Sequence, residues 1–249
     1  MHDPTFFAQD DASFSHDASF SYDAPLVGGL VDSDVFHSPE YLALQDGVAL
    51  KEITPHLIDS LAETMMGAFG MHGVEVIQDY GEFNAGMQPG SDAVLSYDPN
   101  FLWSMGQQFG PDAIVGIVAH EVGHHIADNY LSADATSLDR EQCADCISGV
   151  LTRMYGLSPD AMDGFYANMI VAVGGDDHPL GGIRSDAFHQ GYDWASDERN
   201  QVFSHFLLQD PQNLAQMLAE NLHMSDQAVL STLPDGSTVG EHSPVLGVG

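Results

Sequence analysis

The chain has 249 residues, 44 % of them apolar, which suits one domain with a sizeable core and argues against wholesale disorder. Five Lys and Arg stand against 37 Asp and Glu, a net charge of −32, so the surface repels the phosphates of nucleic acid and anionic lipid, and neither is expected as a partner. No apolar run approaches the ~18–20 residues that span a bilayer, and Met1-His2-Asp3-Pro4 offers neither the basic nor the apolar region of a secretory signal; the expectation is a soluble protein without an integral membrane segment, cytoplasmic or exported without a classical signal peptide.

Residues 1–48 read as an acidic low-complexity arm. No Lys or Arg precedes Lys51, and Asp11-Ala-Ser-Phe-Ser15 is repeated as Asp17-Ala-Ser-Phe-Ser21. Such a segment buries too little to offset its ordering entropy, so it is expected to be a mobile arm or, if its aromatics dock, a latency segment over a cleft. The globular part is expected over 49–223, followed by a tail over 224–249. Ile53, Leu57, Ile58, Leu61, Met65, Met66 and Phe69 recur at helical spacing, and Gly70 and Gly73 close that helix. Val74–Ile77 reads as a strand, and so does Asp92–Tyr97 after the turn residues Gln88-Pro-Gly-Ser91. Helices are expected over 99–109, 111–130, 136–156, 158–174, 184–210 and 211–223, with Pro111 and Asp112 at a helix start. The fold class is therefore α+β and helix-rich, with a small sheet before the central helices.

Residues 119–125 read Ala-His-Glu-Val-Gly-His-His, which contains H-E-x-x-H. Positions i and i+4 of a helix share a face, so His120 and His124 can converge on one metal ion. Glu121 lies one residue on, placed to act as general base on a metal-activated water without ligating the metal. The flanks Ile114-Val-Gly-Ile-Val118 and Ile126 make this a buried helix, where polar side chains need partners.

A tetrahedral catalytic zinc takes three protein ligands and leaves one position open. The next helix offers Glu141 and Asp145, again i and i+4. Residues 125–140 allow the first helix to end, a turn to form through Ser132-Ala-Asp-Ala-Thr136, and a second helix to return with Glu141 at the metal. Asp145 can then accept the spare N–H of a ligating histidine. The expected cofactor is one Zn2+ on His120, His124 and Glu141.

H-E-x-G-H-H followed by E-x-x-A-D-C resembles the gluzincin-type zinc metallopeptidases, above all the neutral zinc metallopeptidase family and the relatives of the CAAX-prenyl and heat-shock membrane proteases. The resemblance covers about residues 50–195. It implies a zincin-like domain with Glu141 as third ligand and Asp145 behind the ligands. Asn84-Ala85 resembles the stretch before that family's substrate-binding edge strand. His178-Pro179 with Arg184 resembles its H-P-x-x-x-x-R segment, which makes His178 a candidate to stabilise the oxyanion. The membrane members carry transmembrane helices that this chain lacks.

The expected function is hydrolysis of peptide bonds in a peptide or protein substrate, with the strand at 92–97 pinning an extended chain by β-addition. The alternative is a latent or inactive zinc-binding protein of the same fold. Cys143 and Cys146, at i and i+3 on one helix, are expected to be packing residues, because that spacing rarely meets disulfide geometry. His125, on another face, is expected to be structural or to stand behind the ligands.

Overall fold

The structure, a computed structural model, describes residues 34–47, 49, 51, 53–81, 83–88, 93–172, 181–197 and 211–222. The folded part begins earlier than residue 49. A short 3-10 helix, Asp34–His37, leads into α1, Pro39–Asp46, capped by the Ser38 side chain. Val35, Tyr41 and Leu44 of this region are buried in the common core. The physical reason is a local change of composition: apolar side chains at 35, 36, 41 and 44 replace the Asp/Ser repeats and can offset the entropy of ordering. The repeats themselves and the tail over 224–249 lie outside the described residues.

Helix α2, Pro55–Ala68, starts on a Thr54 cap with proline in its first turn and buries Leu57, Ile58, Leu61, Met65 and Met66. The Glu63 carboxylate accepts the backbone N–H groups of Gly73 and Val74, both at 2.7 Å, which aims the chain into the sheet. The sheet has the order β1-β3-β2. Strand β1, Glu75–Gln78, pairs in parallel with β3, Val94–Tyr97. The short β2, Ala85–Met87, pairs antiparallel with β3, with Gly86 opposite Ser96. β3 is thus the central strand, so the expectation that the 92–97 segment offers a free edge to substrate is corrected: its backbone is taken on both sides. The edges fall instead to β1 and β2, and β2 is the one packed against the helix Pro111–Tyr130.

Helix α3, Pro99–Phe109, is capped by Asp98, and α4, Pro111–Tyr130, follows after Gly110, whose φ of 92° turns the chain between them. α4 is buried on every side from Ala113 to Gly123, so it is the central helix of the domain. Helix α5, Ser137–Met154, begins on a capping box in which Thr136 and Asp139 bond each other's backbone N–H. Arg140 ties this start to the end of α4 by bonding Asp128. Helix α6, Asp160–Ala172, packs on α3 and α4, α7, Gly181–Ser196, packs on α5 and α6, and α8, Pro211–Asn221, buries Leu214, Met217 and Leu218. The observed architecture is α+β and helix-rich with a three-stranded sheet ahead of the central helix, as expected. α7 starts at Gly181, ahead of the expected 184, and turns Arg184 and Ala187 inward.

Two close approaches set the spacing of the helices that matter below. A Cβ on Gly149 of α5 would lie 1.9 Å from the Phe188 carbonyl oxygen of α7, and one on Gly191 of α7 would lie 1.9 Å from the Cys146 carbonyl oxygen. α5 and α7 therefore touch backbone to backbone. A Cβ on Gly123, inside H-E-x-x-H, would lie 2.7 Å from the Ala144 carbonyl oxygen, so α4 and α5 also meet at a glycine.

α6 and α7 are joined at their rim by His189 Nε2 and Asp163 Oδ1, 2.8 Å apart. The bond to Asp163 holds the His189 pKa above its ordinary value, and Asp193 and Asp186 add to this. A raised folded-state pKa means the stabilisation is fully present below the unfolded value of about 6.5 and is lost as pH rises through the folded value. The difference in Tm between wild type and His189→Gln should therefore shrink as pH rises from about 6 to about 9. A difference that stays constant over that range would show that this pair does not titrate with folding.

Candidate metal centre

α4 delivers three side chains to one place. His120 and His124 stack as consecutive turns of the helix, with ring centroids 4.6 Å apart at 80°. The capping box and the Gly123 contact hold α5 against this face, in the phase that points Glu141 and Asp145 inward. His120 Nε2 lies 3.6 Å from Glu141 Oε2, and His124 Nε2 lies 3.6 Å from Glu141 Oε1. One ligand atom from each of the three residues falls within 4.8 Å of the others. The structure thus brings together the three residues expected to ligate. His120 and Glu141 are buried, and His124 keeps about a quarter of its side chain exposed, so the open side of the cluster is at His124.

Asp145 sits behind the cluster, fully buried, with Oδ1 2.8 Å from His120 Nδ1. That contact leaves the Nε2 lone pair of His120 facing the other two ligands, which is the tautomer a metal needs. Arg184 of α7, also buried, spans the Asp145 carboxylate with Nε at 2.9 Å from Oδ2 and Nη2 at 2.9 Å from Oδ1. The same Nη2 is 3.2 Å from Glu141 Oε2. Tyr166 of α6 donates its hydroxyl to Asp145 Oδ1 at 2.8 Å and lies under the Arg184 guanidinium, 5.3 Å from ring centroid to Cζ.

The electrostatics follow. Burial by itself would raise the Asp145 pKa, but His120 and Arg184 outweigh it and bring it down to about 2. Burial works to lower the His120 pKa, yet Asp145 more than offsets this and holds the ring above its ordinary value. A cation on Nε2 reverses that logic, since a ligating imidazole must be neutral. Burial raises the Glu121 pKa, with partial relief from His120 and from the backbone N–H of Met87. Burial, with Asp145 adding to it, pushes the Tyr166 hydroxyl up, so it stays a donor.

The donor set fits a divalent metal. Two imidazole nitrogens and a carboxylate oxygen converge, the combination that suits zinc and its neighbours. Charge balance points the same way. Glu121, Glu141 and Asp145 gather three carboxylates around Arg184 and His120, and Asp145 and Glu121 hold the His120 pKa up against its burial, so the cluster draws positive charge to itself. Buried charges are retained where they are paired or bind metal, and a dication would take the place of that proton.

Glu121 points toward the sheet. Its Oε2 accepts the Met87 backbone N–H at 3.0 Å. In an antiparallel ladder alternate residues face the partner strand. Gln88 N–H bonds the Val94 carbonyl on β3, so Met87 faces the outer edge, and that edge of β2 runs beside Glu121. His178 lies outside the described residues, as do residues 1–33 of the arm expected to cover the cleft. Cys143 and Cys146 are free and buried, and burial pushes the Cys146 thiol up to about 12, consistent with packing roles. His125 is not in the cluster.

Sequence reasoning missed Tyr166 and gave Arg184 no task. Tyr166 carries no signal, because an aromatic at helical spacing reads as core. Arg184 did carry one: it is one of only five Lys and Arg in the chain, set between Ile183 and Ala187-Phe188. No match to the chain is found among protein families, curated proteins or solved structures. No helix among the described residues is long and apolar enough to cross a membrane.

Proposed function

We propose that this chain is a zinc-dependent endopeptidase of zincin-like fold, with His120, His124 and Glu141 as metal ligands and Glu121 as general base. The observation that carries the reading is the convergence of the three ligand atoms within 4.8 Å, with Glu121 bonded to the adjoining edge of β2. The resemblance of H-E-x-G-H-H and E-x-x-A-D-C to the gluzincin-type peptidases supports it.

A divalent ion held here supplies Lewis-acid activation of water at neutral pH. The chain's own residues supply the rest. Glu121 takes the proton of the attacking water and later passes it to the leaving amine. The outer edge of β2, at Ala85 and the Met87 carbonyl, offers backbone groups to an extended peptide, which fixes the scissile bond beside Glu121, while the Met87 N–H is taken by Glu121 itself. Asp145 keeps the His120 ring oriented throughout. His178, from the resemblance, is the proposed further stabiliser of the oxyanion.

The test is metal content and cleavage of generic unstructured peptides by wild type, His120→Ala and Glu141→Ala. Wild type should carry about one zinc per chain, and both variants should lose it together with activity. Zinc retained in Glu141→Ala would reassign the third ligand. Full zinc occupancy in a wild type that cleaves no peptide would leave a zinc-binding module of the same fold.

A further inference from the structure

The Asp145 carboxylate is buried and accepts from four donors on three helices. His120 Nδ1 of α4 is at 2.8 Å, Tyr166 Oη of α6 at 2.8 Å, and Arg184 Nε and Nη2 of α7 both at 2.9 Å. We propose that Tyr166 and Arg184 are positioning residues of the metal centre, acting on His120 and Glu141 through the orientation they impose on Asp145. The inference rests on the metal-centre reading above and extends it to α6 and α7.

A carboxylate held by one imidazole alone can rotate about its terminal torsion, and the imidazole then turns with it. The guanidinium fork prevents this, because its two N–H groups engage both carboxylate oxygens in one plane. The Tyr166 hydroxyl adds a donor to Oδ1, the oxygen that also receives His120. With both in place, the direction of the Nδ1–H bond is set, and with it the direction of the Nε2 lone pair. Arg184 reaches further: its Nη2 borders Glu141 Oε2 at 3.2 Å, so one side chain restrains the ligand carboxylate and the carboxylate behind the ligand histidine. Nη2 also lies 3.1 Å from His120 Nε2. A metal on Nε2 would replace that contact and set its charge beside the guanidinium's, a cost that the carboxylates of Asp145 and Glu141 offset, while the two charge-assisted bonds to Asp145 would remain. The net effect of Arg184 is therefore to assemble the site.

A merely space-filling role is a poor account of Tyr166. A phenylalanine would keep its ring contacts with Phe165 and Phe188, and only the buried hydroxyl aimed at Asp145 distinguishes the two. That makes Tyr166→Phe a clean probe, since it removes one neutral donor and no charge. Arg184→Lys keeps the charge and removes the fork. Tyr155→Phe is the matched control, because it too removes one hydroxyl bond, Tyr155 Oη to the Thr64 carbonyl at 3.1 Å, away from the site.

Full-length chains are titrated with Zn2+ and with Co2+, reading the dissociation constant and the visible absorption bands of the cobalt form. Tyr166→Phe should weaken metal binding about tenfold and Arg184→Lys up to about a hundredfold, both with altered cobalt bands, while Tyr155→Phe stays within about twofold. Should Arg184→Lys fail to fold, Tyr166→Phe decides. Wild-type affinity and bands in both site variants would overturn this inference and leave the metal centre standing. Equal weakening by Tyr155→Phe would also overturn it, as a general packing effect. A wild type that binds neither ion would remove the metal centre itself and this inference with it.

Discussion

Glu121→Gln should keep its metal and lose about 10²–10⁴-fold in peptide cleavage. The substitution is nearly isosteric, and the amide oxygen can still accept the Met87 N–H, so β2 stays where it is. What is lost is the capacity to take and return a proton. The fold should not suffer, because burial already disfavours the charged form of Glu121, and a neutral amide does not incur that cost. The comparison therefore separates chemistry from assembly: metal content and Tm near wild type, turnover nearly abolished. Wild-type cleavage rates in the metal-loaded variant would place the base elsewhere.

Gly149→Ala should unfold the site from behind. Its new methyl would meet the Phe188 carbonyl oxygen at 1.9 Å and the Tyr192 nitrogen at 2.8 Å, both backbone atoms that no side-chain rotation can clear. The helix gains ~1 kcal/mol of propensity from alanine. Overpacking costs about 1–3 kcal/mol where side chains can adjust, and more where the contact is backbone on backbone. The steric effect wins, and α5 and α7 must separate. Differential scanning calorimetry should show Tm lowered on the order of 10 °C for a chain of this size. Metal affinity should fall with it, since the movement pulls Arg184 on α7 away from Asp145 on α5. Gly191→Ala attacks the same seam from the other helix, through the Cys146 carbonyl oxygen, and should behave alike. The double variant should cost less than the two single effects combined, because one separation relieves both clashes. An unchanged Tm in either single variant would mean the helices are not in direct contact.

Much of this molecule can be read without coordinates. The helices at 99–109 and 111–130 are found at those bounds because proline marks both starts, Asp98 caps the first and Gly110 ends it. H-E-x-x-H places His120, Glu121 and His124 by helix period alone. Glu141 is reached by two arguments together, a chain long enough to turn and come back and the resemblance of E-x-x-A-D-C to the gluzincin-type peptidases. The β2 strand escaped notice, since three residues with a central glycine carry no alternation to detect. The 34–46 region was assigned to the arm because acidic composition before it overshadowed a short apolar pattern.

What the sequence determined by itself is local: where helices begin and end, and which side chains share a face, because those depend on neighbours within a turn or two. Only the tertiary structure decided which strand keeps a free edge, since strand order depends on pairings between segments distant in the chain. It also decided who holds Asp145. Tyr166 and Arg184 reach that carboxylate from two further helices, brought there by the Gly149 and Gly191 seam, and no spacing along the chain encodes that approach. The three residues of the His120–His124–Glu141 cluster were thus legible as candidates, while the side chains packed behind them were not.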